Sequence, residues 1–375
     1  MRGAVRGGRI VTRRLVVLTL AVTTLAVGCG SPVAAPPGGS SIGSAPSSAT
    51  GSPTAGSDRV AAVLGPEVPL PLSPEFSSVG GGSIWYSDSD TGKVARLDLA
   101  SGTVSAPIVV DDPLDSPYGS PKEIAADATG AWLADPSRHA IDRVDATGTL
   151  TRTVVLTTGT GKSSTPIVPF GLELSGGTAW VGDFDQGLVA QVSTTSGRVT
   201  RVLHGVPNPE GMALGFGSLW VVQHRDGSIA RIDLASWKVT AVVRLPGTGA
   251  NSTCGMCVDD VVAGPTALWV PLDLGQGVAR IDPTTNTVTG VTPLGLRVEN
   301  LAVDATSVWV AGWDGSLPCT DTHAVVERLD PATGAPRDRL VVPCAVNPSV
   351  VPGSGDVWVG AIDNPVGVRR ITTHA

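Results

Sequence analysis

The chain repeats one tryptophan-centred unit seven times, and this repetition constrains its fold more than any other feature. Each tryptophan lies in an apolar run of strand length that follows a turn bearing Gly or Ser. A second run then ends in a turn, as in "VARLDLASG", and a third run follows. The repeated tryptophans, spaced 40 to 49 residues apart, are Trp85, Trp132, Trp180, Trp220, Trp269, Trp309 and Trp358.

A short run before each turn, such as "PEGMAL", brings every unit to four strands. No long stretch shows helical periodicity. Seven units of this length and strand count predict an all-β fold, a seven-bladed β-propeller with four-stranded antiparallel blades. The last unit lacks an outer strand, whereas the segment from Arg59 resembles the outer-strand segment from Arg198. We therefore expect residues 59–64 to complete the blade of Trp358 and remove an open sheet edge.

Two repeated features are interpreted as structural. The fixed place of the tryptophans in the second strand favours packing between blades over a ligand platform. The recurring Arg-apolar-Asp, as in "ARLD" and "ARID", is interpreted as turn chemistry in which Asp caps the next bend. Trp237 and Trp313 fall outside the register, so they carry more information about function.

Residues 1–28 have the features of a lipoprotein signal peptide. Five arginines precede the apolar run Leu15 to Val27, which is too short to span a bilayer. The end, "LAVGC", resembles a bacterial lipobox and implies a lipid on Cys29. "TRRLVV" also resembles a weak twin-arginine signal, and ordinary secretion with cleavage nearby is the alternative.

Residues 29–57 are expected to form the lipidated cysteine and a flexible linker. Of residues 30–57, 26 of 28 are Gly, Ala, Pro, Ser or Thr, and none is charged. Such a segment buries too little apolar surface to order itself. The sequence thus predicts a propeller at 58–375, held outside the cytoplasm and anchored to the cell membrane as a lipoprotein.

The charge of the body limits its partners. Without the five signal arginines, 21 Lys and Arg remain against 33 Asp and Glu, a net charge of −12. This excess disfavours nucleic acid and anionic lipid, which both need basic patches. It suits a cation or a basic ligand, and solubility alone is the alternative explanation.

The units "GSLWVVQHRDGSIARIDL" and "TAWVGDFDQGLVAQVSTTSG" resemble the blades of streptogramin lyase-like (virginiamycin B lyase-type) and YVTN/YncE-like secreted bacterial propellers. The lyase resemblance implies histidines at inner-strand starts and a Glu after a blade's tryptophan, acting with magnesium. Here Glu299 and Asn300 stand where a His would be expected, and Gly312 stands near the place of the Glu. The resemblance therefore implies the fold and does not carry over the activity.

Carboxylates recur at the predicted starts of the inner strands, nine or ten residues before each tryptophan. Strands of equal register point their side chains in equal directions, so these groups should converge on the channel mouth. Oxygen ligands of this kind suit Ca²⁺ or Mg²⁺, and the predicted metal ligands are Glu75, Glu123, Glu210, Asp259 and Glu299. The predicted ligand-binding residues are Lys122, Glu123, Glu210, His224, Asp259, Asp260, Glu299, Asn300 and Trp313. The alternative is that these side chains are simply solvated.

Two functions remain open. The first is a binding module that takes a protein or small ligand at the channel mouth. The second is a metal-dependent propeller enzyme, of streptogramin lyase-like or lactone-hydrolase type, with its site in the same acidic mouth.

Four further cysteines lie in the propeller. In an oxidising compartment we expect the disulfides Cys254–Cys257 and Cys319–Cys344. A Cys₄ zinc site is the alternative.

Overall fold

The computed structural model describes residues 62–111, 120–159, 163–247, 258–272, 277–313, 324–342, 350–352, 357–361 and 366–372. The predicted signal peptide, the predicted linker and all five cysteines lie outside these residues, so cleavage, lipidation and the disulfide pairing stay predictions. The backbone of Trp313 is described and its side chain is not. Within the described part, no helix is both long and apolar enough to cross a membrane.

The described strands form seven antiparallel sheets of four strands, which confirms the predicted fold class. Blades 1 and 2 contain β2 (Phe76–Gly80), β3 (Ser83–Asp88), β4 (Lys93–Asp98) and β5 (Ile108–Val109), then β6 (Ile124–Asp127), β7 (Gly130–Asp135), β8 (Ala140–Asp145) and β9 (Leu150–Val155). Blades 3 and 4 contain β10 (Pro169–Ser175), β11 (Thr178–Asp183), β12 (Leu188–Ser193) and β13 (Arg198–His204), then β14 (Pro209–Gly215), β15 (Ser218–Gln223), β16 (Ser228–Asp233) and β17 (Lys238–Arg244).

Blades 5 and 6 contain β18 (Val262–Ala263), β19 (Leu268–Leu272), β20 (Gly277–Asp282) and β21 (Thr287–Thr292), then β22 (Arg297–Val303), β23 (Val308–Trp313), β24 (Ala324–Leu329) and β25 (Pro336–Val342). Blade 7 contains β26 (Val350–Pro352), β27 (Val357–Ala361), β28 (Gly367–Thr372) and, as its outer strand, β1 (Val63–Pro69). Each inner strand lies against that of the next blade, from β2 through β26 and back to β2. Seven inner strands therefore surround a central channel.

The N-terminal strand closes the ring, as the sequence predicts, but it lies further along the chain. Strand β1 pairs with β28, with Val63 opposite Thr372 and Pro69 opposite Gly367. Of the predicted segment 59–64, residues 59–61 lie outside the described residues, and Val63 and Leu64 belong to β1. The strand continues to Pro69 because it pairs along β28 from Thr372 to Gly367. A β-bulge between Leu64 and Glu67 accommodates additional residues in β1.

The seven repeated tryptophans lie in the second strands and are buried, which confirms their packing role. Each joins its own blade to the next. Trp220 of blade 4 packs in one cluster with Val270 of blade 5, and Trp358 of blade 7 packs with Tyr86 of blade 1. Trp237 lies in the turn after β16 and is also buried, in the cluster around Trp180. It therefore belongs to the core.

The Arg-apolar-Asp repeat has two roles, of which the sequence predicts one. Asp98 accepts hydrogen bonds from the backbone N–H groups of Ala100 (3.1 Å) and Ser101 (2.8 Å), which confirms the predicted turn cap. The arginine stacks over the tryptophan of the neighbouring strand. Arg231, for example, lies 4.9 Å from the ring centre of Trp220. The repeat is thus part of the blade scaffold.

Buried aspartates at the ends of three second strands fix the loops on one face of the propeller. Asp183 accepts the N–H of Gln186 (2.9 Å) in the following turn and that of Val168 (2.8 Å) in the loop before β10. Asp88 and Asp135 occupy the same register and are equally buried. Blade 4 has Gln223 instead of an aspartate at this position, and a 3₁₀ turn, His224–Asp226, follows it. The turn places His224 on the same face as these loops.

Candidate acidic site at the channel mouth

Two glycines let the inner strands of blades 3, 4 and 5 touch at their starts. Gly211 donates its N–H to the carbonyl oxygen of Asp259 (3.0 Å), and a Cβ at Gly211 would lie 2.4 Å from that oxygen. A Cβ at Gly171 would lie 2.1 Å from the carbonyl oxygen of Glu210. The backbones meet without intervening side chains. The carboxylates that flank the glycines are therefore crowded together.

His224 connects blades 4 and 5 at this mouth. Its Nδ1 lies 2.7 Å from Oε2 of Glu210, 2.9 Å from Oδ1 of Asp259 and 3.1 Å from the carbonyl oxygen of Val258. The side chain is buried, and its backbone N–H is bound by the carbonyl oxygen of Asn208 (3.1 Å). Contact with the carboxylates of Asp259 and then Glu210 raises the pKa of His224 to about 10.

Three more carboxyl groups interact through their charges with these carboxylates or with one another, and their side chains are only partly exposed. Burial, followed by the charges of Asp260 and Glu210, raises the pKa of Glu123 well above its usual value. Burial likewise raises the pKa of Asp260 to about 7, with Asp259 and Glu210 adding to the effect. The pKa of Glu173 rises to about 7, mainly through burial and in part through Asp260. We call these five residues the acidic cluster: Glu123, Glu173, Glu210, Asp259 and Asp260.

Positive and aromatic groups border the acidic cluster. The charge of Lys122 lowers the pKa of Glu123 and so partly offsets its burial. The ring of Phe184 meets that of His224 edge to face at 5.6 Å, and it lies 5.5 Å from the ring of Phe170. The guanidinium of Arg225 lies 5.4 Å from the ring centre of Phe184. One side of the mouth is thus aromatic.

The remaining predicted residues have partners in their own blades. Ser89 donates its backbone N–H to Oε2 of Glu75 (3.3 Å), and burial raises the pKa of Glu75. Oε1 of Glu299 lies 2.9 Å from Nε of Arg297. Asn300 pairs with Ala311 between β22 and β23. The described contacts therefore join Glu210 and Asp259 of the predicted metal set, and a site made from all five stays a prediction.

Sequence reasoning missed Glu173 and Phe184. Glu173 lies two residues beyond Gly171, inside the inner strand, whereas the predicted carboxylates lie at the strand starts. Phe184 lies four residues after Trp180, as His224 does after Trp220 and Trp313 after Trp309. This shared register was a usable signal for the mouth.

The raised pKa of Glu173 predicts a pH-dependent stability. A carboxyl whose folded pKa is raised contributes stability that is complete below about pH 4.5 and is lost as the pH rises through about 7. The free energy of unfolding, measured in urea, should therefore decline less between pH 5 and pH 8 in Glu173→Gln than in the parent. At pH 8 the variant should be more stable than the parent. Asp233→Asn is the control, because bonds from Ser236 lower the pKa of that carboxyl. Equal slopes for Glu173→Gln and the parent would contradict the assignment.

The fold and this cluster define a seven-bladed β-propeller with an acidic channel mouth. The chain is similar to the solved structure of U3-55K, with a TM-score of 0.59 and 13% identity over 84% of this chain and 98% of that one. It is also similar to the crystal structure of the RRP9 WD40 repeats, with a TM-score of 0.61 and 12% identity over the same shares. At such identity the likeness shows the fold alone.

No family model matches the chain, and no curated protein matches it. The streptogramin lyase-like and YncE-like resemblance therefore stays an expectation from the sequence.

Proposed function

We propose that this chain is an extracytoplasmic lipoprotein whose propeller binds a protein or small ligand at the channel mouth, through a positively charged group of that ligand. The observation that carries the proposal is the acidic cluster, which draws five carboxyl groups from four consecutive blades. The lipoprotein half of the proposal is supported by three sequence features: the signal-like pattern of residues 1–28, the lipobox-like "LAVGC" and the uncharged segment that follows it.

The physical reason lies in the electrostatics of the mouth. Carboxylates that are partly buried near one another are unfavourable when ionised, so they take up protons or attract a cation. A ligand ammonium or guanidinium placed among them would offset that repulsion. The ring of Phe184 adds an apolar surface that already carries one guanidinium, that of Arg225. The mouth is therefore suited to a cationic group with an apolar stem.

Binding of matched peptides tests the choice of ligand. Lysine-rich and glutamate-rich peptides of equal length are titrated into the purified protein with EDTA present. We expect only the lysine-rich peptide to bind. Glu173→Gln combined with Glu210→Gln should lower the affinity for that peptide about tenfold, or by about 1.4 kcal/mol.

The matched control is Asp98→Asn combined with Asp145→Asn. It removes two charges from turns between third and fourth strands, which lie on the opposite face. Equal binding of both peptides, or equal loss in both double variants, would show that the mouth is not the binding site.

The anchoring half has its own test. In cells that express the full chain, Cys29→Ser should move the protein from the membrane fraction to the soluble fraction. A variant that stays with the membrane would contradict the lipid anchor.

A further inference from the structure

We propose that Glu210, His224 and Asp259, together with the backbone carbonyl of Val258, hold one divalent transition-metal ion at the rim between blades 4 and 5. The inference deepens the proposed function, because it concerns the same mouth. It needs no partner, and its test is run without one.

The donor atoms already have the spacing of a coordination shell. The carboxylate oxygens of Glu210 and Asp259 lie 2.7 and 2.9 Å from Nδ1 of His224, and the carbonyl oxygen of Val258 lies 3.1 Å away. The three side-chain donors all lie within 4.8 Å of one another. Zinc takes nitrogen and oxygen donors at about 2.0–2.2 Å, so they lie about 3.3–3.6 Å apart in its usual tetrahedral shell. In an octahedral shell, which Mn²⁺ accepts, donors at a similar distance lie about 2.8–3.1 Å apart at right angles.

An ion pair alone leaves this group incompletely satisfied. Nδ1 carries at most one proton, and three oxygens surround it, so two of them receive no hydrogen from the ring. Oε2 of Glu210 is inaccessible to solvent, and among the described residues no group besides the imidazole lies in position to donate to it. A buried anionic oxygen without a donor is unfavourable. A metal ion satisfies all four donor atoms at once.

The donors are held by backbone contacts rather than by the ion. His224 is 6% exposed, and its N–H is bound by Asn208. The N–H of Gly211 binds the carbonyl of Asp259 and so connects the two donor-bearing blades. Folding therefore prearranges the site, and the ion would bind with little rearrangement.

The donor set selects the class of metal. An imidazole nitrogen suits Mn²⁺ through Zn²⁺ better than Ca²⁺ or Mg²⁺, which take oxygen ligands. This differs from the all-carboxylate Ca²⁺ or Mg²⁺ site predicted from sequence. The side chain of Asp259 is 72% exposed, so the ion would face solvent and keep positions open for water or a ligand group.

Calorimetric titration of EDTA-stripped protein with Zn²⁺ and, separately, Mn²⁺ tests the site. We expect one ion per chain, and at least a tenfold loss of affinity in His224→Gln and in Asp259→Asn. Because Asp259 is mostly exposed, Asp259→Asn should fold normally even if His224→Gln does not, and melting curves check both. Asp98→Asn and Asp145→Asn, which change turns on the opposite face, are controls that should leave the affinity unchanged.

A second readout identifies the nitrogen ligand. Co²⁺ bound to the parent should give a visible absorption spectrum that His224→Gln alters and Asp98→Asn does not. No binding of Zn²⁺ or Mn²⁺, binding unaffected by Asp259→Asn, or tighter binding of Ca²⁺ that His224→Gln leaves unchanged would each overturn the site. Peptide binding is measured in EDTA, so loss of the metal site and loss of the proposed ligand binding are separate results.

Discussion

Deletion of residues 62–69 is expected to lower the free energy of unfolding by several kcal/mol and to promote self-association. These residues contain β1, whose pairing with β28 completes blade 7. Its loss removes five residues that pair with β28, at a net of about 0.5–1.5 kcal/mol for each hydrogen bond. It also uncovers Ile371, which is fully buried in a cluster that includes Leu64. Such a loss is a large part of the roughly 5–15 kcal/mol that stabilises a typical domain.

Urea unfolding and size-exclusion chromatography measure the two effects. Deletion of residues 30–57 is the control, because it removes a longer segment that contributes no charge and is expected to be a linker. That control should keep the parent's transition midpoint. If the two deletions unfold at the same urea concentration, ring closure by β1 does not stabilise the propeller.

Gly211→Ala is expected to destabilise the protein by about 1–3 kcal/mol or more and to dismantle the acidic cluster. The new Cβ would lie 2.4 Å from the carbonyl oxygen of Asp259 and 2.7 Å from Cα of Asp260, so the backbones of blades 4 and 5 must separate. Separation carries Asp259 away from His224. The variant should therefore lose affinity for Zn²⁺ as well as stability.

Gly290→Ala is the matched control for this substitution. Gly290 lies in β21, and a Cβ there would meet no atom within 4 Å. The free energy of unfolding of Gly290→Ala should differ from that of the parent by no more than about 0.5–1 kcal/mol. Any change should be a gain, because alanine reduces the conformational freedom of the unfolded chain. Equal unfolding midpoints for the two variants would mean that the close approach at Gly211 is not needed.

The number of blades, the class of fold and the closure of the ring follow from the sequence because they depend on local, repeated patterns. An apolar run with a tryptophan every 40 to 49 residues specifies a strand and its place in a blade without reference to distant residues. The unpaired last unit likewise requires an outer strand from elsewhere. The position of that strand was predicted less well, because the bulge after Leu64 has no signature in the sequence.

The tertiary structure alone decides which side chains of the mouth meet. Equal register predicts a shared side-chain direction for four carboxylates: Glu75, Glu210, Asp259 and Glu299. Each of them nevertheless forms its hydrogen bond or ion pair with the partner that lies nearest. Glu75 meets Ser89 and Glu299 meets Arg297, within their own blades. Glu210 and Asp259 meet His224, because Gly171 and Gly211 bring three blades into backbone contact. The scaffold is thus determined by periodicity, which is local, and the site by distances between blades, which exist only once the ring has closed.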